Sequence, residues 1–343
     1  APFRQQRTAR ANWRAREHQD MHLGRAAFTP ITDRETAKRY FASTVGRVEV
    51  ETHSYCNRRC SYCPNVVGDR LGENVRMEES VWRMILDNLS EIGYRLNFVM
   101  NSYNEPLADR AILERIREAR AAMPNARLMI YTNGDYLDPD YIEALAEAGL
   151  NYMHISIHMR KDDKYSDLYA VNRMLEISVR AGIAARIRTI RSNEYIIAAM
   201  PHPRMEIETR AINFMRNGTD RGGLLPDITR EAKRTAPCFF PFAHFHIGFS
   251  GNVVPCCHIR SDRPEHEDYM IGNLADYGSI FQAFASERAA AWRRELVGTQ
   301  EKKKPCDTCT AAFLQGPQAA ASFDKAWRAH VLPIAAPTST LVK

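Results

Sequence analysis

The sequence predicts an α/β fold, an open partial (β/α)6 barrel followed by a small C-terminal domain built around cysteines. Between about residues 47 and 215, short apolar runs alternate with amphipathic helical segments, the pattern of a parallel sheet with right-handed crossovers. The six strand candidates in that stretch are too few for a closed eight-stranded barrel, so the sheet is expected to stay open. Of the eight cysteines, Cys56, Cys60 and Cys63 stand near the front, and Cys238, Cys256, Cys257, Cys306 and Cys309 near the back. The chain accordingly divides into an N-terminal extension over 1–46, the barrel over 47–225, a cysteine-bearing domain over 226–312 and a tail over 313–343.

The strands are expected at Arg47–Thr52, Leu96–Met100, Arg127–Tyr131, Tyr152–Ile157, Ala185–Thr189 and Ala211–Met215. Helices fall between them. Val81, Met84, Ile85, Leu89 and Ile92 recur at helical spacing, as do Ile112, Leu113, Ile116 and Ala119. A further helix starts at Asp138-Pro139, a cap residue followed by a first-turn proline, and ends at Gly149. The tail, with Pro317, Pro333 and Pro337, is expected to wrap or fray.

Residues 1–20 are Arg-rich and contain no apolar signal core, and no apolar run approaches the ~18 residues of a membrane span. The expectation is a cytoplasmic protein without a membrane partner, whose clustered cysteines bind metal rather than form disulfides. The net charge of +6 permits an anionic substrate. It does not require nucleic acid, and Arg4, Arg7, Arg10, Arg14 and Arg16 are explained by a solvated helix face.

Parallel barrels carry their chemistry at the C-terminal ends of their strands. Here Cys56, Cys60 and Cys63 follow the first strand and Asn104-Glu105-Pro106 the second; Thr132-Asn133-Gly134 closes the third, Ser156 and His158 the fourth, and Arg188 and Arg191 the fifth. A cubane iron–sulfur cluster takes four thiolates, so a loop offering three leaves one iron open to a ligand. Zinc, with His53 as a fourth ligand, is the alternative.

The C-x3-C-x2-C spacing resembles the signature of the radical S-adenosylmethionine (SAM) enzymes. The resemblance implies that Cys56, Cys60 and Cys63 hold a [4Fe-4S] cluster whose open iron is chelated by the methionine moiety of S-adenosylmethionine. In the segment Asn101 to Leu107, Glu105 and Pro106 match the family's Gly-Gly-Glu-Pro element that binds the methionine ammonium, while its glycines are replaced. By the same resemblance Asn104 belongs to the cofactor-binding set, Tyr62 packs near adenine, Thr132 and Asn133 lie near the cofactor's ribose and carboxylate, and Ser156 and Arg188 sit where ribose-hydroxyl and carboxylate contacts are made.

A second resemblance lies at the back. Cys238, then Gly251 after twelve residues and Cys256 after four more, with Cys306-Asp-Thr-Cys309 later, is similar to the SPASM and twitch domains. It implies a second, auxiliary [4Fe-4S] cluster with all four irons held by protein and a role in electron transfer; a structural zinc site is the alternative. Cys257 is left over, either as packing or as a hydrogen-atom donor.

Arg221, on an Arg-Gly-Gly loop 17 residues before Cys238, resembles the arginine that contacts substrate hydroxyls in twitch-domain sugar-alcohol dehydrogenases of aminoglycoside biosynthesis. The expected substrate is a small sugar, aminocyclitol or nucleoside. Expected reactions are carbinol oxidation, with His158, His244 or His246 as base, or else decarboxylation or epimerisation. An external flavodoxin- or ferredoxin-like electron donor is implied as partner. A peptide maturase is a further alternative, lowered by the short stretch before the first strand.

Overall fold

The computed structural model describes residues 25–311 except 69, 162, 230 and 232. The Arg-rich start and the proline-bearing tail lie outside the described residues. The elements, in chain order, are α1 (Arg34–Thr44), β1 (Arg47–Val50), α2 (Glu79–Glu91), β2 (Asn97–Val99), α3 (Ile112–Ala122), β3 (Arg127–Thr132), α4 (Pro139–Glu147), β4 (Tyr152–Ile157), α5 (Asp167–Arg180), β5 (Arg186–Arg191), β6 (Tyr195–Pro201) and β7 (Glu206–Ile212). They continue with α6 (Phe214–Asn217), α7 (Phe240–Ala243), β8 (His244–Ile247), β9 (Asn252–Val254), β10 (Gly272–Asn273), α8 (Leu274–Tyr277), α9 (Ile280–Phe284) and α10 (Glu287–Val297).

One ten-stranded sheet runs β10-β9-β8-β1-β2-β3-β4-β7-β6-β5. Its middle six strands, β8, β1, β2, β3, β4 and β7, are parallel neighbours. The open parallel sheet agrees with the expected fold class, and the first four strands and the helices between them fall where the sequence puts them. Asp138 caps α4 by accepting from the Tyr141 amide, with Pro139 in the first turn, because a side-chain oxygen satisfies a donor that the helix start leaves bare.

The expected fifth and sixth strands are corrected. Ala185–Thr189 becomes β5, the antiparallel outer strand of a hairpin with β6, and all six of its residues are exposed. Its alternation of Arg186, Arg188 and Arg191 with Ile187 and Ile190 suits an edge that must resist further pairing. The expected strand Ala211–Met215 is split between the end of β7 and α6. The fifth parallel position belongs to β7 along Tyr152↔Glu206 to Ile157↔Ala211, and the sixth to β8 along Arg47↔His244 to Val50↔Ile247.

Side chains alternate across a strand, and here the two faces differ in chemistry. Val48, Val50, Phe98, Leu128, Ile130, Met153, Ile155, Ile207, Phe245 and Ile247 are buried in the main core with the helices. Their neighbours Arg47, Glu49, Tyr131, His154, Ser156, Glu208, Arg210 and His246 point to the opposite, concave face. That face is mixed: beside these polar groups it carries the smaller apolar cluster of Val99, Met129 and Tyr152, the combination of apolar lining and a few placed polar groups that ligand sites show. No helix among the described residues is long and apolar enough to cross a membrane.

Candidate active site

A cavity of about 350 Å³ opens at the C-terminal ends of the parallel strands. Its lining brings together Cys56, Cys60, Cys63, Tyr62, Asn104, Glu105, Thr132, Asn133, Ser156, His158, Arg221 and Cys257. Arg188 is the expected cofactor residue that this arrangement leaves out, exposed on the edge strand β5, because that strand is not part of the parallel barrel.

The cysteine loop is fixed by its backbone. The Cys56 amide donates to Arg70 O (2.9 Å) and the Cys63 amide to Cys60 O (2.9 Å), turning the three side chains toward the cavity. Asp135 clamps the loop from outside: it accepts from Arg58 Nε and Nη2 (2.7 and 2.6 Å), Asn57 Nδ2 (2.9 Å) and Arg173 Nη2 of α5 (2.6 Å). A second brace crosses to the C-terminal region. Buried Arg70 pairs with Glu51 (2.7 Å) and Asp262 (2.9 Å), while Arg260 pairs with Asp262 and donates to Asn65 Oδ1 (2.8 Å). Burial pushes the Cys56 and Cys60 thiols up to about 12, so these are not free thiolate nucleophiles and need a metal to ionise.

Glu105 is 2% exposed. It accepts from Thr132 Oγ1 (2.5 Å), the Asn133 amide (2.7 Å) and the Leu107 amide (3.1 Å). Gly134 completes that turn at φ +74, where a Cβ would come within 2.8 Å of Ile155; only glycine fits there. Burial raises Glu105 to about 7 against those hydrogen bonds, and no lysine, arginine or histidine of the described residues neutralises it. A buried carboxylate facing a cavity without a counter-cation fits an ammonium ligand. Asn104 adds an orphan: its Oδ1 accepts from the Ser102 amide, and its buried Nδ2 has no partner.

Tyr62 lies between Phe214, stacked at 4.8 Å, and His158, stacked at 5.8 Å, and forms a flat apolar wall. Its hydroxyl accepts from the Met159 amide (3.2 Å) and lies 3.0 Å from His158 Nδ1. Burial pushes His158 down to about 4, so it is neutral at physiological pH. Of the three expected bases, His158 lines the cavity. His246 sits behind Glu49, with Nδ1 3.6 Å from its carboxylate and both ring nitrogens without a hydrogen bond.

Arg221, Cys257, Glu49 and Tyr103 complete the lining. Arg221 has φ +52, and its Nη1 donates to His258 Nδ1 (2.9 Å) while its buried Nε has no partner. Tyr103 Oη donates to Cys257 O (2.7 Å). Glu49 is held down at about 2: burial acts to raise it, but His246 and the Arg47 guanidinium outweigh that. Cys238, Cys256, Cys306 and Cys309 are near enough to feel one another's charge, and burial raises Cys256 and Cys306. Arg234 reaches over them to Cys309 O (3.1 Å).

Sequence reasoning missed Arg58, Asp135, Arg173, Glu49, Tyr103 and His258. Asp135 directly follows the Thr132-Asn133-Gly134 motif and Glu49 lies in a predicted strand, so alternation along that strand offered a signal. Arg173 offered none, since an arginine on an amphipathic helix reads as solvated.

A family model described as the radical SAM superfamily matches residues 50–210. One described as an iron-sulfur cluster-binding domain, SPASM, matches residues 238–310. The chain is 24% identical over 269 residues to an S-adenosyl-L-methionine-dependent 2-deoxy-scyllo-inosamine dehydrogenase from Niallia circulans, covering 78% of this chain and 94% of that one. It is 28% identical over 151 residues to GTP 3',8-cyclase from Chlorobaculum tepidum, less than half of either chain (43% and 44%). The crystal structure of BtrN in complex with AdoMet and 2-DOIA has the same fold, with a TM-score of 0.57 at 22% identity over 79% of this chain and 95% of that one. The chain thus carries a radical SAM domain over residues 50–210, which implies S-adenosylmethionine and a [4Fe-4S] cluster as cofactors, and a SPASM domain over residues 238–310, which implies an auxiliary iron–sulfur cluster.

Proposed function

We propose that this enzyme oxidises a carbinol of a small, polar, carbohydrate-like substrate of the aminocyclitol or sugar type. The observation that carries the reading is the cavity itself: one lining brings together the three-cysteine loop, Glu105, Arg221 and Cys257, and Arg221 is near enough to Cys63 and to Cys256 to feel the charge of both. The likeness to a 2-deoxy-scyllo-inosamine dehydrogenase along nearly all of that protein's length supports it. When bound, S-adenosylmethionine on its cluster supplies a 5'-deoxyadenosyl radical that takes hydrogen from carbon, and the auxiliary cluster supplies an electron acceptor.

The chain's residues do the rest. Glu105 holds the methionine ammonium, and Thr132, Asn133, Asn104 and Ser156 offer the polar contacts around the cofactor. Tyr62 gives an aromatic face of the kind a purine stacks on. Arg221 presents a planar donor fork that fits an oxygen of the substrate, and ionised Glu49 accepts from a substrate hydroxyl or ammonium. A flavodoxin- or ferredoxin-like protein is the proposed electron source.

Cys257 favours a second reading, epimerisation, because it places a thiol on the cavity wall. Decarboxylation of a uronic acid is distinguished by product. The test is anaerobic incubation of the reconstituted, reduced protein with S-adenosylmethionine and 2-deoxy-scyllo-inosamine or other amino- and uronic-acid sugars, followed by mass spectrometry. Loss of two hydrogen atoms together with 5'-deoxyadenosine is expected. Loss of carbon dioxide, or a product of unchanged mass, overturns the oxidation.

A further inference from the structure

We propose that the auxiliary-cluster loop is also a latch that holds Arg221 in place, so that this cluster has a positional role separate from electron transfer. Arg221 lines the cavity with φ +52, followed by Gly222 at +67 and Gly223 at +90. A non-glycine residue in the left-handed region persists only where its surroundings over-determine it. The constraint comes from its neighbour. Asp220 is 1% exposed, and its backbone carbonyl accepts from the Leu225 amide (2.9 Å), closing the turn that contains Arg221. Its Oδ2 accepts from Thr308 Oγ1 (2.5 Å), while Oδ1 is buried without a partner.

Thr308 lies between Cys306 and Cys309. On the other side of Cys309, Thr310 Oγ1 donates to Gly218 O (3.1 Å). The turn that supplies two auxiliary thiolates is thus fastened at two points to residues 218–220. It is itself held from behind by Lys233, which pairs with Asp307 (2.6 Å), and by the Arg234 amide, which donates to Asp307 O (2.6 Å). Metal ligation that orders Cys306 and Cys309 therefore orders Thr308, and through Asp220 the arginine. Thr308 and Asp220 act here as positioning residues.

Hydrogen–deuterium exchange of the peptide spanning 218–225, in the anaerobically reconstituted full chain, tests the latch without any substrate. Thr308→Val removes the donor and should raise exchange there about tenfold or more, the scale of a lost hydrogen bond to a charged group; Thr308→Ser should exchange like the parent. Iron content is measured alongside. Should Thr308→Val lose iron, Asp220→Ala removes the acceptor from outside the cysteine turn and carries the same expectation. Parent-like exchange in an iron-replete Thr308→Val or Asp220→Ala protein overturns the latch. The consequence for turnover, a raised KM in Thr308→Val restored by Thr308→Ser, rests on Arg221 facing the substrate; raised exchange with an unchanged KM would sink that reading and leave the latch standing.

Discussion

Glu105 shows how one side chain links folding to ligand binding. Its carboxyl is raised from 4.5 to about 7 by burial, so the folded chain binds a proton that the unfolded chain has released between those values. This group's contribution to stability is therefore fully present below about 4.5 and is lost as pH rises through about 7, by ~3 kcal/mol at most at 1.36 kcal/mol per unit. Denaturation of the ligand-free protein between pH 5 and 8 should show this loss relative to Glu105→Gln, in which the group cannot ionise; parallel curves for the two proteins would contradict it. If Glu105 holds the methionine ammonium as proposed, S-adenosylmethionine supplies the missing cation, and binding near pH 6.5 should release a proton in the parent only. Calorimetry in buffers of different ionisation enthalpy reads that release. In the same cavity, Cys257→Ala should retain turnover while Arg221→Ala loses most of it, since carbinol oxidation needs oriented oxygen and no thiol donor. Deuterium from solvent appearing at carbon in a redox-neutral product would instead assign Cys257 the hydrogen return.

At the scale of elements, the active site is a set of loops held by charges the sequence hides. Asp135 links the cysteine loop to α5 through Arg58 and Arg173, and all three side chains are roughly four-fifths buried. Asp135→Ala takes this acceptor from Arg58 and Asn57 and leaves Arg173 with Glu176 alone. Such a loss costs up to ~3–5 kcal/mol at a fully buried pair, and less here. The variant should lose cluster iron to a chelator faster than the parent while the auxiliary iron stays. Equal rates of loss would mean that the loop is fixed by its backbone alone. The same geometry explains what the sequence made legible. Strands β1 to β4, the cysteine spacing, Glu105 and the Thr132 turn were readable because each is local: a periodicity, a motif or a turn. The fifth and sixth parallel strands were not. β7 reaches β4 only after the β5–β6 hairpin is set aside, and β8 reaches β1 across roughly two hundred residues. Short apolar runs do not reveal their partners. Asp135 with Arg173 is likewise a tertiary pair that neither residue announces.

At the scale of the whole molecule, the parts matched by the two family models share one sheet and one core. β8 lies beside β1 along four residue pairs. Phe41 of α1 makes edge contacts at 5.3–5.5 Å with Phe245 of β8 and with Phe281 and Phe284 of α9. A helix before the barrel thus packs directly on elements from the far end of the chain. The clusters should remain chemically separate all the same. Reconstituted protein should hold about eight irons on the two-cubane stoichiometry, and replacing Cys56, Cys60 and Cys63 by alanine should remove about half of them and all cleavage of S-adenosylmethionine. Four irons or stoichiometric zinc in the parent would remove the second cubane. Folding should not be separable in that way. Urea unfolding of the cluster-free chain should be one transition by circular dichroism and by tryptophan fluorescence, because Trp82 sits in the barrel half of the core and Trp292 packs against the same core from α10. Phe41→Ala should move that single transition down by ~3–5 kcal/mol, the usual cost of emptying a buried phenylalanine site. Two transitions, with Phe41→Ala shifting only the earlier one, would mean that the barrel stands without the C-terminal elements and that the β1–β8 pairing is a docking contact.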